Sequence, residues 1–285
     1  MSPRAVAPAG ARGARSARRI GDPTARTPWP LVPPAAVAVA FLLLPLAGLL
    51  LRTPWADLPR LLADPGVWDA LRVSLTTATA ATAISLVVGV PLAWVLARGQ
   101  FPGRRLLRAL VTLPLVLPPV VGGVALLFAL GRRGVVGQYL DQWFGLTLPF
   151  TTAGVVLAET FVAMPFLVLT VEGALRSSNL GLEETAATLG SRPFATFRRV
   201  TLPLVAPSLL AGAVLCWARA LGEFGATITF AGNLPGVTQT MPLAVYQALE
   251  RDPEAALALS LVLLAVSITV LVLLRERWLR PGAAL

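Results

Sequence analysis

The sequence predicts an all-α membrane protein with six transmembrane helices and both termini on the cytoplasmic side. Composition is the first reason: 56% of the 285 residues are hydrophobic and only 13% charged, about half the charge of a soluble domain. The second is a set of six apolar runs, each near the ~20 helical residues that a ~30 Å hydrocarbon core requires. The third is the uneven placement of arginine between those runs. A mean hydropathy of +0.74 argues against a soluble enzyme, a secreted disulfide scaffold or a disordered chain.

In chain order, residues 1–28 carry six arginines among Pro, Ala, Gly and Ser and read as a disordered basic cytoplasmic tail. The apolar runs follow at 30–51, 70–97, 106–130, 150–173, 206–231 and 254–274. Residues 29–68 then hold the first transmembrane helix and an external segment, 69–275 a five-helix core, and 276–285 a cytoplasmic C-terminus. Pro91, Pro114, Pro118 and Pro119 interrupt the second and third runs. Prolines are tolerated in spans where neighbours satisfy the freed carbonyls, so these helices are expected to kink inside a bundle.

With the N-terminus inside, the tail and the segments 98–108, 174–205 and 275–285 hold seventeen arginines. The other side holds six, Arg52, Arg60, Arg72, Arg132, Arg133 and Arg251. Arginine-rich loops stay cytoplasmic. The net charge of +10 then follows from topology and anionic lipid, and no nucleic-acid partner is needed.

Missing residue types narrow the chemistry. There is no histidine, and all 24 basic residues are arginine. Imidazole catalysis and histidine metal sites are excluded, and a phosphate-binding loop lacks its lysine. The chain is therefore expected to be no enzyme and to hold no cofactor or metal. Cys216 lies in an apolar stretch and reads as a small buried hydrophobe.

Residues 174–205 form the one sizeable inside loop. "GLEETAATLG" starts at Gly181, places Glu183 and Glu184 in a first helical turn and ends at Gly190, the usual boundary signals. "SRPFATFRRV" restarts with Ser191 as an N-cap and Pro193 in the first turn. Phe194 and Phe197, three apart, share a face, and "LPLVAP" is expected to break this helix before the fifth span. From these residues alone the loop could lie along the membrane or dock a partner.

Glu184, Ala186, Gly190, Leu202 and Pro203, with Val200 in the aliphatic place nine residues beyond Gly190, resemble the EAA loop of ABC-importer permeases. Thr185 stands where that pattern has Ala. The resemblance implies a type I ABC importer permease-like fold whose coupling helices sit in a groove of a separate ATPase subunit. Glu183 and Glu184 would meet positive groups there, Phe194 and Phe197 would fill apolar hollows, and Ala186, Gly190, Leu202 and Pro203 would complete the loop.

Three charges fall well inside predicted spans, away from their ends: Glu159 in the fourth, Arg219 and Glu223 in the fifth. Each would cost ~3 kcal/mol at a lipid-facing helix centre, so each should face protein or water. Arg219 and Glu223 share one helical face and suit a salt bridge. Glu159 falls at similar depth and could pair with Arg219. Pairing within the bundle and lining of a pathway both remain open.

The stretch from Ala218, "ARALGEFGATITFAGNLPGVTQTMPLAVYQALE", closely resembles molybdate importer permeases. Gly222 and Gly225 flank Glu223 and Phe224, allowing close approach of another helix. "AGNLPG" turns at the outer mouth, where Asn233, Pro235, Gly236, Thr238 and Thr240 gather. The likeness covers about 69–275. It implies the inner-membrane subunit of a bacterial importer for molybdate or tungstate. The implied assembly is a homodimer with two copies of an ATPase and an extracytoplasmic molybdate-binding protein. A sulfate or thiosulfate permease is the alternative substrate reading. More remote rivals are an ion-coupled secondary transporter using Glu159 and Glu223 as proton sites, and a membrane-anchored scaffold.

Overall fold

The computed structural model describes residues 29–278; the basic tail expected at 1–28 and residues 279–285 lie outside them. After a 3-10 turn at Trp29–Leu31, α1 (Val32–Arg52) matches the first apolar run and continues through Pro45. It belongs to one compact unit, and the chain from Arg52 onward forms another.

The second unit opens with a short α2 (Leu58–Leu62) and the 34-residue α3 (Pro65–Arg98). Asp64 starts α3 by accepting the Gly66 N–H at 2.8 Å, with Pro65 at the first position where a missing donor costs nothing. α3 runs through Pro91. The third span departs from the expected kink. It is broken into α4 (Arg104–Val116) and α5 (Pro119–Leu130), which meet at 119°. Pro118 and Pro119 remove two successive donors, and Pro119 forces Pro118 to an extended ψ of 132°.

A short α6 (Gly137–Phe144) leads to α7 (Thr152–Ser177), capped by Thr151 on the Gly154 N–H at 3.0 Å. The loop at 174–205 holds α8 (Leu180–Thr188) and α9 (Pro193–Thr196). A π-helical turn at Phe197–Thr201 then feeds α10 (Leu202–Leu221) directly. The expected break at "LPLVAP" does not occur. The Leu202 N–H reaches back five residues to the Phe197 carbonyl, and this wide turn makes room where the Pro203 ring would otherwise meet the Arg199 carbonyl. The fifth span ends early, at Leu221, and continues as a separate α11 (Gly225–Phe230). Finally come α12 (Met241–Arg251) and α13 (Pro253–Trp278), the latter started by Asp252, whose Oδ1 accepts the Glu254 and Ala255 N–H groups.

α3, α7 and α10 make the core. One face of α3 presents Ala70, Ser74, Thr77, Ala81, Ser85 and Gly89 at helical spacing, all buried. Small residues let helix backbones approach where no water drives association. A Cβ at Gly89 would lie 3.2 Å from Val168 Cγ2, and one at Gly212 of α10 would lie 3.1 Å from Leu167 Cδ1. Cys216 is buried in this core.

The pairings also fix direction. Thr77 meets Glu159 and the Leu96 carbonyl meets Arg176, so α3 and α7 run parallel. Gly212 meets Leu167 while Thr201, just before α10, meets Glu183 of α8, so α10 runs against them. Two parallel spans need a return crossing between them, and the bent α4–α5 pair supplies it. The pair therefore counts as one span, the third of six.

Candidate functional site

The 174–205 loop is built by local capping. Asn179 accepts the Gly181 N–H at 2.9 Å and starts α8, one residue before the position read from the sequence. At the other end the Ser191 N–H reaches the Ala186 carbonyl and the Gly190 N–H the Ala187 carbonyl, both at 3.0 Å. This Schellman pattern needs a left-handed residue, and Gly190 supplies φ +82°. Ser191 is not the N-cap of α9; Arg192 occupies that place, and the Ser191 hydroxyl accepts the Thr196 hydroxyl at 3.0 Å.

The two acids of the loop have separate surroundings. Glu184 is exposed. Glu183 turns inward: its Oε1 takes the Arg98 guanidinium at 3.0 Å and the Thr201 hydroxyl at 3.1 Å. Arg98 also donates to the Ser178 hydroxyl at 2.8 Å. Glu183 therefore joins α8 to the end of α3 and to the π-turn before α10, and it has a positive partner within this chain. The phenylalanines divide likewise. Phe194 is 74% exposed, whereas Phe197 packs edge-on to Trp94 of α3 at 5.0 Å. Both line a small apolar hollow of about 370 Å³ with Pro91 and Pro193. Ala186 and Leu202 are half-buried and Pro203 is exposed.

A second polar group lies within the bundle. The Arg219 guanidinium meets Glu223 Oε2 at 2.6 Å, the expected i, i+4 pair. The pair straddles a helix end, however. Glu223 follows the α10 C-cap Gly222, and its Oε1 accepts the Ala226 N–H at 2.8 Å, holding the first turn of α11. Glu159 does not pair with Arg219; its Oε1 accepts the Thr77 hydroxyl at 2.9 Å, and Glu223 lies within its electrostatic reach. The break after α10 explains this, because it turns Glu223 and not Arg219 toward α7. Glu159, Glu223 and Thr227 are all 1% exposed or less, and Glu159 Oε2 and Thr227 Oγ1 have no hydrogen-bond partner.

Another helix comes close at Gly225, whereas Gly222 is exposed. A Cβ on Gly225 would lie 2.9 Å from Pro119 Cβ, and one on Gly123 2.8 Å from the Ala226 carbonyl. α5 and α11 thus cross backbone to backbone, beside Glu223. The 231–240 segment is less open than expected. Gly236 has φ +72° and Pro235 is exposed, but the Thr238 hydroxyl is consumed by the Leu234 N–H at 2.8 Å. Thr240 is buried, and Asn233 and Gln239 both donate to Gln247 of α12. The Ser74 hydroxyl takes the Met241 N–H at 2.7 Å, tying this segment to α3.

Residues 89–283 match the family of the binding-protein-dependent transport system inner membrane component. The chain belongs to this family. It is 49% identical over 237 residues, 83% of this chain and 89% of the relative, to the molybdenum transport system permease protein ModB of Mycobacterium bovis. To the sulfate transport system permease protein CysT of Salmonella typhimurium it is 39% identical over 234 residues, 81% and 84% of the two chains. Among solved structures, a bacterial ABC transporter involved in import of the acidic polysaccharide alginate superposes with a TM-score of 0.73 at 18% identity, covering 89% of this chain and 95% of that one. The fold is thus that of ABC importer permeases, and the chain is a multi-pass inner-membrane component.

Several polar residues of this family member were not singled out from the sequence. Thr77 and Arg98 carry no signal in one dimension, since their partners lie 82 and 85 residues away. Glu172 did carry one. It sits at the end of the fourth apolar run, four residues before Arg176, and it is 1% exposed. Arg176 and Arg108 flank it at 2.9 and 3.0 Å.

Proposed function

We propose that this permease is the membrane subunit of an ATP-driven molybdate importer, with tungstate as an alternative cargo. The observation that supports this most is the higher identity to a molybdenum permease, 49%, than to a sulfate permease, 39%, over nearly the same share of the chain. In this reading both termini and α8 face the cytoplasm, two copies of the chain form the pathway, and two ATPase subunits bind below. An oxyanion-binding protein delivers cargo from the other side. The exposed Glu184 and Phe194 reach the ATPase. Glu183 relays the loop's movement to α3 through Arg98 and to α10 through Thr201.

The polar groups Thr77, Glu159, Arg219 and Glu223 flank the pathway, with the α5–α11 crossing beside them. Both acids are internally hydrogen-bonded, so they position helices and do not trap an anion. A weakly binding pathway suits delivery by a separate protein, because a deep anion trap would slow release. ATP hydrolysis belongs to the partner subunit.

The test is uptake in proteoliposomes holding this chain, its ATPase and its binding protein. ATP-dependent molybdate uptake that excess sulfate does not compete is the expected result. Equal competition by sulfate would move the assignment to a sulfate permease. Uptake by this chain alone under a proton gradient would replace it with a secondary transporter.

A further inference from the structure

At the α8 end of the bundle, the loop after α3, the first turn of α4 and the last turn of α7 enclose an open cavity of about 620 Å³. Its lining includes Arg104, Arg105, Arg108 and Arg176 and no acidic residue. Among the described residues the carboxylate paired with this lining is Glu172, which meets Arg108 and Arg176 and is 1% exposed. It offsets one of the four charges. The two guanidinium side chains it pairs with remain 43% and 39% exposed, so each still presents donors to the cavity.

The start of α4 is electrostatically inverted. Acids are favoured in a first turn because unpaired N–H groups and the helix dipole make it positive. Here Gly103 offers no side-chain cap, the turn holds no acid, and Arg104 and Arg105 occupy its first two positions. Among the described residues no acid neutralises this positive end, and the cavity opens onto it. A tetrahedral anion would meet both the arginines and the positive end of the helix dipole.

The apolar side of the same helix indicates the source of that anion. Leu106, Leu110 and Leu113 fall at i, i+4 and i+7 on α4 and are all exposed. Counted by the rise of a helix, they lead from the arginine turn toward the middle of the span. A free phosphate has no use for such a stripe, whereas acyl chains do. Basic pockets between transmembrane helices are suited to acidic headgroups.

We infer that the arginine cavity at the start of α4 is a binding site for the headgroup of an anionic phospholipid, with the acyl chains along Leu106, Leu110 and Leu113. The experiment is native mass spectrometry of the full-length chain with phosphatidylglycerol or with phosphatidylcholine of identical acyl chains. Inorganic phosphate serves as competitor. Phosphatidylglycerol should be retained selectively, phosphate at millimolar concentration should not displace it, and Arg104→Ala/Arg105→Ala should weaken retention by at least about tenfold. Arg105→Gln alone, at an exposed position that leaves the Glu172 pairs intact, should weaken it by a smaller factor and serves if the double variant does not fold. Equal retention of the two lipids, or unchanged retention by both variants, overturns the site. Displacement by phosphate reassigns it to a free anion. Loss of ATPase binding with lipid selectivity intact reassigns the arginines to a protein interface.

Discussion

Removing the Glu183 carboxylate should loosen the 174–205 loop from the bundle. Glu183 and Arg98 are 15% and 16% exposed and lie 3.0 Å apart. An exposed pair of this kind contributes ~0.2–1 kcal/mol, and removal of one partner from a fully buried pair costs ~3–5 kcal/mol. At this burial the loss falls between those limits, about 2 kcal/mol, because Arg98 keeps the Ser178 hydroxyl and some water. Since 1.4 kcal/mol is a factor of ten, local opening of the loop should become about 30-fold more frequent.

Glu183→Ala gains a little helix propensity but loses a first-turn dipole interaction of ~0.3–1 kcal/mol, so Arg98→Ala, which leaves α8 unaltered, separates loss of the pair from weakening of the helix. Hydrogen exchange of the full-length protein, followed over residues 180–190, reads this opening directly. Exchange there should accelerate by about that factor in Glu183→Ala and Arg98→Ala. The double variant should be no worse than the worse single one, as a shared contact requires. Glu184→Ala should leave exchange unchanged. If Glu183→Ala exchanges at the native rate, the pair does not hold the loop and the relay to α3 and α10 fails.

Two further outcomes follow from the same geometry. Glu184→Arg should abolish ATP-driven uptake and reduce co-purification with the ATPase without changing thermal stability, since the side chain is exposed and has no ion-pair partner to lose among the described residues; normal uptake with normal co-purification refutes it. Arg219→Ala leaves Glu223 buried without its counter-charge, a loss of about 3 kcal/mol. The midpoint of thermal unfolding should fall by several degrees, at roughly 2–4 °C per kcal/mol. An unchanged midpoint together with unchanged uptake would show that this pair neither supports the helix end nor matters to the pathway.

Reading helices from one dimension worked where a single physical cause dominated. The apolar runs at 30–51, 150–173 and 254–274 return as α1, α7 and α13 with boundaries shifted by a few residues, because hydrocarbon thickness sets their length. The starts at Pro65 and Pro253 follow from an aspartate and a proline in the right order. Reading failed where two local rules competed. The Pro118–Pro119 pair was read as a kink although two adjacent missing donors break a helix outright. Pro203 was read as a break although one wide turn absorbs it. At Gly222, hydropathy continued smoothly across a point where the backbone stops being helical.

What the chain determined alone is its medium, its span count and its family. Those depend on composition, on the spacing of charges between apolar runs, and on short motifs, all of which act within a few helical turns. Which charges meet was decided only in three dimensions. Glu183 faces Arg98, Glu159 faces Thr77, and Arg108 reaches Glu172 because α3, α4 and α7 pack side by side through small residues. An ionisable group in a low-dielectric bundle must take whichever partner the packing brings within about 3 Å. That partner lies tens of residues away in the chain, where no local pattern records it.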